Sequence, residues 1–164
     1  MNVIGKVTTK ERKINMNKEE FLTYLPETTY GLFTTVKEDG TPETRGWEFQ
    51  FEQDDRYYFG TANTKDVWAE LTKNPKAGFT YMEPTGKYTV RMTGEVKVLT
   101  DPEEKKALFE RFNPMVRGMY QSWDNPIFEI ILYASWQRAL RRLRQWNIRN
   151  RTESSRLSGI LYRR

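Results

Sequence analysis

The strongest constraint in this chain is a series of short β-branched and aromatic segments, each closed by a turn signal. Residues 29–36 are rich in Thr, Tyr, Phe and Val and read as a strand. Lys37-Glu38-Asp39-Gly40 follows as a hairpin turn with an Asp-Gly pair. In residues 45–52, Trp47, Phe49 and Phe51 alternate with Glu48, Gln50 and Glu52, the period of a half-buried second strand. Gln53-Asp54-Asp55 turns the chain into a third strand over 56–60. A fourth covers 77–83. A fifth covers 87–99, with Tyr88, Val90 and Met92 on one face and Thr89, Arg91 and Thr93 on the other. Gly94 interrupts it and is read as a bulge. The sixth, over 127–134, is the most apolar run in the chain. Strands joined mainly by short turns predict a mainly β (α+β) fold, a six-stranded antiparallel barrel that removes its own edges by closing.

Short helices flank these strands. Asn17, with Glu20 three residues on, predicts a capped helix over 18–25. Asp101-Pro102-Glu103-Glu104 is a helix start with proline at the first helical position, and that helix is predicted to reach about residue 112. A helical turn is read over 115–120. The most informative stretch lies between the third and fourth strands. Gly60, Thr61, Asn63 and Thr64 form a polar turn before a helix whose apolar face carries Val67, Trp68 and Leu71. Asn63 or Thr64 is the expected N-cap. Lys65 then falls in the first helical turn, where the helix dipole disfavours a cation. A bound anion explains it, since a helix N-terminus with hydroxyls, an amide and an ammonium makes a phosphate site. An ordinary capped surface helix with a solvated lysine is the alternative.

Composition excludes much other chemistry. The 164 residues contain no cysteine and no histidine. Disulfides, thiol nucleophiles, Ser-His catalysis and the commonest metal ligands are therefore absent, and no metal site is expected. No phosphate-binding glycine loop of the GxxxxGK or GxGxxG type appears. If such a chain does chemistry, a cofactor is the expected source of the reactive group. No apolar run approaches the roughly 20 residues of a membrane helix. No N-terminal apolar signal region is seen either. A cytoplasmic protein without membrane insertion is the expectation.

Charge is unevenly spread. Residues 136–164 hold nine arginines and one acid, Glu153, whereas residues 1–135 hold 18 Lys and Arg against 21 acidic residues. The sequence divides accordingly into an N-terminal arm (1–16), a folded domain (17–135) and an Arg-rich tail (136–164). In the tail, Trp136, Ala139, Leu140, Leu143 and Trp146 stand at helical spacing and predict a basic amphipathic helix. A non-native C-terminus, from a shifted reading frame or a cloning scar, accounts for the change of composition equally well.

The order of these elements resembles the pyridoxamine 5'-phosphate oxidase-like flavoproteins with an FMN-binding split β-barrel, in particular their general-stress-protein-related branch. The resemblance rests on helix 18–25, the hairpin Glu38-Asp39-Gly40-Thr41-Pro42, the strand Thr44-Arg45-Gly46-Trp47-Glu48-Phe49, the stretch 58–71, and Asp124-Asn125-Pro126-Ile127-Phe128-Glu129-Ile130. It implies a homodimer with FMN in a groove at the interface. The phosphate would be held by Arg45, Thr61, Asn63, Thr64 and Lys65, and the ring would be met by backbone groups of Trp47, Glu48 and Phe49. Trp123 of a second subunit would cover the ring edge. Plain alternatives remain for several residues: a barrel-rim ion pair for Arg45, core packing for Trp47 and Phe49, interface packing for Trp123. The true oxidases carry a basic substrate pocket with histidine. This chain has none, and its Arg91, Arg111 and Arg117 do not match that pocket. The resemblance therefore implies an FMN-dependent oxidoreductase acting on an unassigned small-molecule redox substrate, with no catalytic side chain named. A flavin-binding stress or sensor module without turnover is the alternative. A barrel binding nucleic acid through the basic tail is a third reading and is not favoured. Deazaflavin or haem occupies the same groove in sister families. Such family chains also continue with a further short β segment where this one turns to the Arg-rich tail.

Overall fold

The computed structural model describes residues 17–142. The arm 1–16 and residues 143–164 of the tail lie outside the described residues. Seven strands form one antiparallel sheet in the order β2-β1-β5-β6-β7-β4-β3. They are β1 (Thr29–Val36), β2 (Pro42–Phe49), β3 (Phe51–Gln53), β4 (Arg56–Ala62), β5 (Lys76–Met82), β6 (Tyr88–Val98) and β7 (Phe128–Arg142). Four short helices accompany them: α1 (Lys18–Leu22), α2 (Asp66–Lys73), α3 (Pro102–Phe109) and α4 (Pro114–Tyr120).

The expected second strand is two strands, and the break closes the barrel. Gln50 donates its backbone N–H to Tyr58 O (3.0 Å), while its own carbonyl accepts from Thr28 N (3.1 Å). One residue thus links the start of β1 to β4, and the chain changes partner there. β2 pairs with β1 along its whole length, Thr29 opposite Phe49 through Val36 opposite Pro42, and β3 pairs with β4. The seventh strand is therefore a subdivision, and the antiparallel split barrel stands.

Two apolar clusters lie on opposite faces of β4 and β7. Inside the barrel are Phe33, Phe49, Tyr57, Phe59, Phe79, Val90, Met92 and Tyr133, sealed by Phe21 and Leu25 at one place and by Val67 and Leu71 of α2 at another. Outside, Tyr58, Phe128, Ile130 and Leu132 pack under Leu108, Phe109, Phe112 and Tyr120 of the α3–α4 region. Burial on both faces explains why 127–134 reads as a continuous apolar run without alternation.

Three local expectations are corrected. α1 ends at Leu22, and Asn17 caps it by accepting from Glu20 N (2.8 Å). The bulge falls one residue beyond Gly94: Glu95 pairs with Ser135 but Val96 pairs with Tyr133, leaving Ala134 as the additional residue. The amphipathic helix predicted in the tail is strand for as far as the chain is described. β7 runs on through Arg142, with Gly94 opposite Trp136 and Tyr88 opposite Arg142. The first half of β6 would otherwise be an unpaired edge, and pairing it outweighs a helical spacing of apolar residues. Leu140 is buried in the inner cluster.

Candidate functional site

The barrel's split is the space between β2 and β4. Beyond the Gln50–Tyr58 bond the two strands diverge, and the next link is a side chain: the Trp47 indole N–H donates to Gly60 O at 3.1 Å. A cleft of about 540 Å³ lies along this gap. Its size falls in the range of about 300–1,000 Å³ usual for small-molecule sites. Its lining comes from β2 (Arg45 to Glu48), Gln50, Gly60, the turn and first residues of α2 (Thr64 to Val67), α4, and Tyr30.

One end is cationic. Arg45 on β2 and Lys65 at the head of α2 both line it, with Thr64 between strand and helix. Lys65 is itself the N-cap residue, with extended backbone (φ −90°, ψ 149°) and no side-chain cap bond. The expected cap at Asn63 or Thr64 is corrected accordingly, and so is the placing of Lys65 inside the first turn. Asp66 holds that first-turn position, where an acid suits the helix dipole. The leading N–H groups of α2 thus receive no side-chain cap beside two cations, the arrangement a bound anion satisfies. Arg45 has protein partners too. Its Nη1 donates to Thr35 Oγ1 (2.7 Å) and its Nη2 to Glu70 Oε2 (2.8 Å). The rim ion pair foreseen as the alternative for Arg45 is therefore present, and two of its five N–H donors are used in it.

The middle of the cleft is aromatic and acidic. Trp47 packs on Phe33 with ring centroids 4.8 Å apart, so its ring is both core and wall. Gly46 beside it has nothing within 4 Å of where a Cβ would stand, which leaves the β2 backbone open to close approach. The Glu48 carboxylate is held by Gln50 Nε2 (2.6 Å) and by the Asn113 side-chain amide. Asn113 also caps α4, accepting from Val116 N at 2.9 Å. The far end is apolar: Met115 and Met119, one turn apart on α4, are 60% and 62% exposed, and Tyr30 is 60% exposed. Burial raises the Tyr120 phenol above its ordinary range, so it stands neutral in the wall.

Of the residues singled out in the sequence, Arg45, Trp47, Glu48, Thr64 and Lys65 meet in this cleft. Phe49, Thr61, Asn63 and Trp123 are not part of its lining. Phe49 is fully buried in the inner cluster. Thr61 is also fully buried, and its hydroxyl has no partner among the described residues. The Asn63 amide donates to Pro126 O (2.8 Å) and Glu129 Oε1 (3.1 Å), which pins the turn to the start of β7. Trp123 packs half-buried against the outer cluster. Sequence reasoning missed Tyr30, Gln50, Met115 and Met119. The methionines at i and i+4 after the Asn113-Pro114 helix start were a readable sign of an apolar helix face, but nothing local tells that this face borders a cleft.

Among the described residues no group of His, Cys, Asp or Glu is placed to hold a metal, and no helix is long and apolar enough to cross a membrane. No curated protein sequence matches the chain. Among solved structures, a NimC/NimA family protein from Clostridium acetobutylicum is 26% identical, with a TM-score of 0.67 over 77% of this chain and 85% of that one. General stress protein 26 from Bacillus anthracis is 17% identical, with a TM-score of 0.61 over 78% of this chain and 100% of that one. A pyridoxamine 5'-phosphate oxidase-related, FMN-binding protein from Nostoc punctiforme is 15% identical, with a TM-score of 0.56 over 76% and 87%. The latter two likenesses are of fold. The family model for pyridoxamine 5'-phosphate oxidase matches residues 17–145, a span that takes in all the described residues and the extended β7 with them. This chain belongs to the pyridoxamine 5'-phosphate oxidase family.

Proposed function

We propose that this protein binds FMN in the cleft between β2 and β4 and is a flavin-dependent oxidoreductase acting on a small-molecule redox substrate. The observation that carries the proposal is the meeting of Arg45 with Thr64, Lys65 and the uncapped head of α2 at one end of a cleft whose other end is aromatic and apolar. A phosphate joined to a flat ring matches that polarity. The FMN-binding relative from Nostoc punctiforme supports the same choice of ligand.

Arg45 and Lys65 hold the phosphate in this reading, with Thr64 and the α2 N–H groups as neutral donors. Asn63 acts indirectly, fixing the turn through Pro126 and Glu129. Thr61 supports the turn from inside the barrel. The open backbone at Gly46, Trp47 and Glu48 lies along the ring, and Phe49 anchors the end of β2 in the core. Met115 and Met119 exclude water from the far end. The flavin, when bound, supplies hydride or electron transfer.

A homodimer belongs to the same proposal. The outer faces of β1 and β5 carry Leu32 at 54% and Met82 at 62% exposure, continuous with Tyr30 at the cleft rim. An apolar sheet face of this kind marks an interaction surface. Trp123 of a second copy covers the ring edge in this reading.

Purified protein titrated with FMN tests the binding step, and a nicotinamide donor tests turnover. Stoichiometric binding with donor-driven turnover is the expected result. FMN that binds but is never reduced would leave a flavin module without turnover. Loss of binding altogether would overturn the proposal.

A further inference from the structure

Arg45 does not stand alone at the phosphate end. Its guanidinium donates to Thr35 Oγ1 and to Glu70 Oε2, and the Thr35 hydroxyl in turn donates to the same Glu70 oxygen. Thr35 is fully buried and Glu70 is 8% exposed, whereas the Arg45 side chain retains 24% of its exposure. The carboxylate thus lies behind the arginine, on the protein side of the cleft. Glu70 also sits on α2, just over one turn from Lys65, so the helix that brings a cation to the cleft brings a buried counter-ion with it.

The cations at this end are partly offset by neighbouring carboxylates. Arg45 and Lys65 line it, but Asp66 follows Lys65 and Glu70 lies behind Arg45, so each cation has a carboxylate beside it. Gripping a phosphate requires Arg45 to serve it and Glu70 at once, two anions on one guanidinium in a partly buried place where charge interactions are weakly screened.

We propose that Glu70 is a specificity-determining residue that sets the phosphate affinity of the cleft: it shares Arg45 with the incoming phosphate and lowers the preference for FMN over the unphosphorylated flavin. The inference rests on the phosphate end being where the proposed function puts it. Glu70 itself touches Arg45 and Thr35, so it acts on ligand choice through them.

The test is the ratio of riboflavin Kd to FMN Kd, read by quenching of flavin fluorescence, for the full chain and for Glu70→Gln. Glutamine keeps an acceptor for Arg45 and removes one negative charge. The ratio should rise about tenfold, the order expected for deleting one like charge near a partly buried phosphate. Riboflavin Kd itself should stay within about twofold, because an uncharged tail senses little of a removed charge. Glu70→Asp, which withdraws the carboxylate by one methylene, should raise the ratio less, and it decides the matter if the glutamine variant does not fold. An unchanged or lower ratio in the folded variants, with wild-type preference for FMN intact, would overturn the role of Glu70 alone. Equal affinity for riboflavin and FMN in the wild type and in folded Glu70→Gln alike would overturn the phosphate end and this inference together.

Discussion

Arg45 serves two groups at once, and this separates it from Lys65, the other cation of the cleft. Arg45 is paired with buried Glu70, while Lys65 is exposed at the head of α2 with no side-chain cap bond. Lys65→Ala should weaken FMN binding by about 1.5–3 kcal/mol, the range for a hydrogen bond to a charged group, and leave the thermal midpoint where it was. Arg45→Ala should lower both affinity and midpoint, since it also strands the Glu70 carboxylate, and breaking a buried pair costs about 3–5 kcal/mol when both partners are well buried. Calorimetric titration and thermal unfolding on the same samples read both effects. Gly31 offers a test of packing on β1, beside the cleft residues Tyr30 and Trp47. A Cβ there would lie 2.5 Å from the Phe79 ring and 2.7 Å from Thr80 O. Gly31→Ala should therefore cost about 1–3 kcal/mol of stability by denaturant unfolding. At this scale Arg45 and Lys65 were legible as an unusual pair around a polar turn. Glu70 was not, because a carboxylate among Trp68, Ala69 and Thr72 reads as ordinary helix surface until the helix is docked.

Elements were legible where local signals agreed and misread where tertiary pairing decided. β1 is found over the very residues predicted, and α3 starts at Asp101 as expected, with the carboxylate accepting from Glu103 N and Glu104 N. Asp101→Ala should cost about 1 kcal/mol by thermal or denaturant unfolding, the usual value of a side-chain N-cap. The break at Gln50 could not be read, because Trp47, Phe49 and Phe51 keep a perfect alternation across it while the backbone changes partner. The tail shows the same conflict more strongly. Trp136, Ala139, Leu140 and Leu143 satisfy a helical period, yet seven residues of β6, from Tyr88 to Gly94, have β7 as their partner beyond Ser135. Ending the chain after Ser135 should lower stability by at least about 3 kcal/mol, since several ladder bonds worth about 0.5–1.5 kcal/mol each are lost and an edge is opened. A truncated protein with an unchanged unfolding midpoint would contradict this pairing.

At the scale of the whole molecule, the barrel places an apolar outer face beside the mouth of its cleft. Tyr30 belongs to both, lining the cleft and standing 60% exposed on β1 next to the Leu32 face. In the proposed homodimer, dimerisation and flavin binding should therefore be linked. Leu32→Lys should shift the protein to monomer in light-scattering measurements and weaken FMN binding with it; a monomer that binds FMN as tightly as the wild type would separate the two. The fold class was legible in the sequence because strand periodicity and turn chemistry act locally. The cleft was legible only in part, because its walls come from residues as far apart as Tyr30, Arg45, Lys65 and Met119, which only closure of the barrel brings together. The most direct measurement of the central claim is the visible absorption spectrum of the purified protein, taken before and after denaturation. The two-banded spectrum of oxidised flavin, with free FMN released on unfolding, is the predicted result. Colourless protein that takes up no added FMN, or protein carrying a haem spectrum, would contradict it.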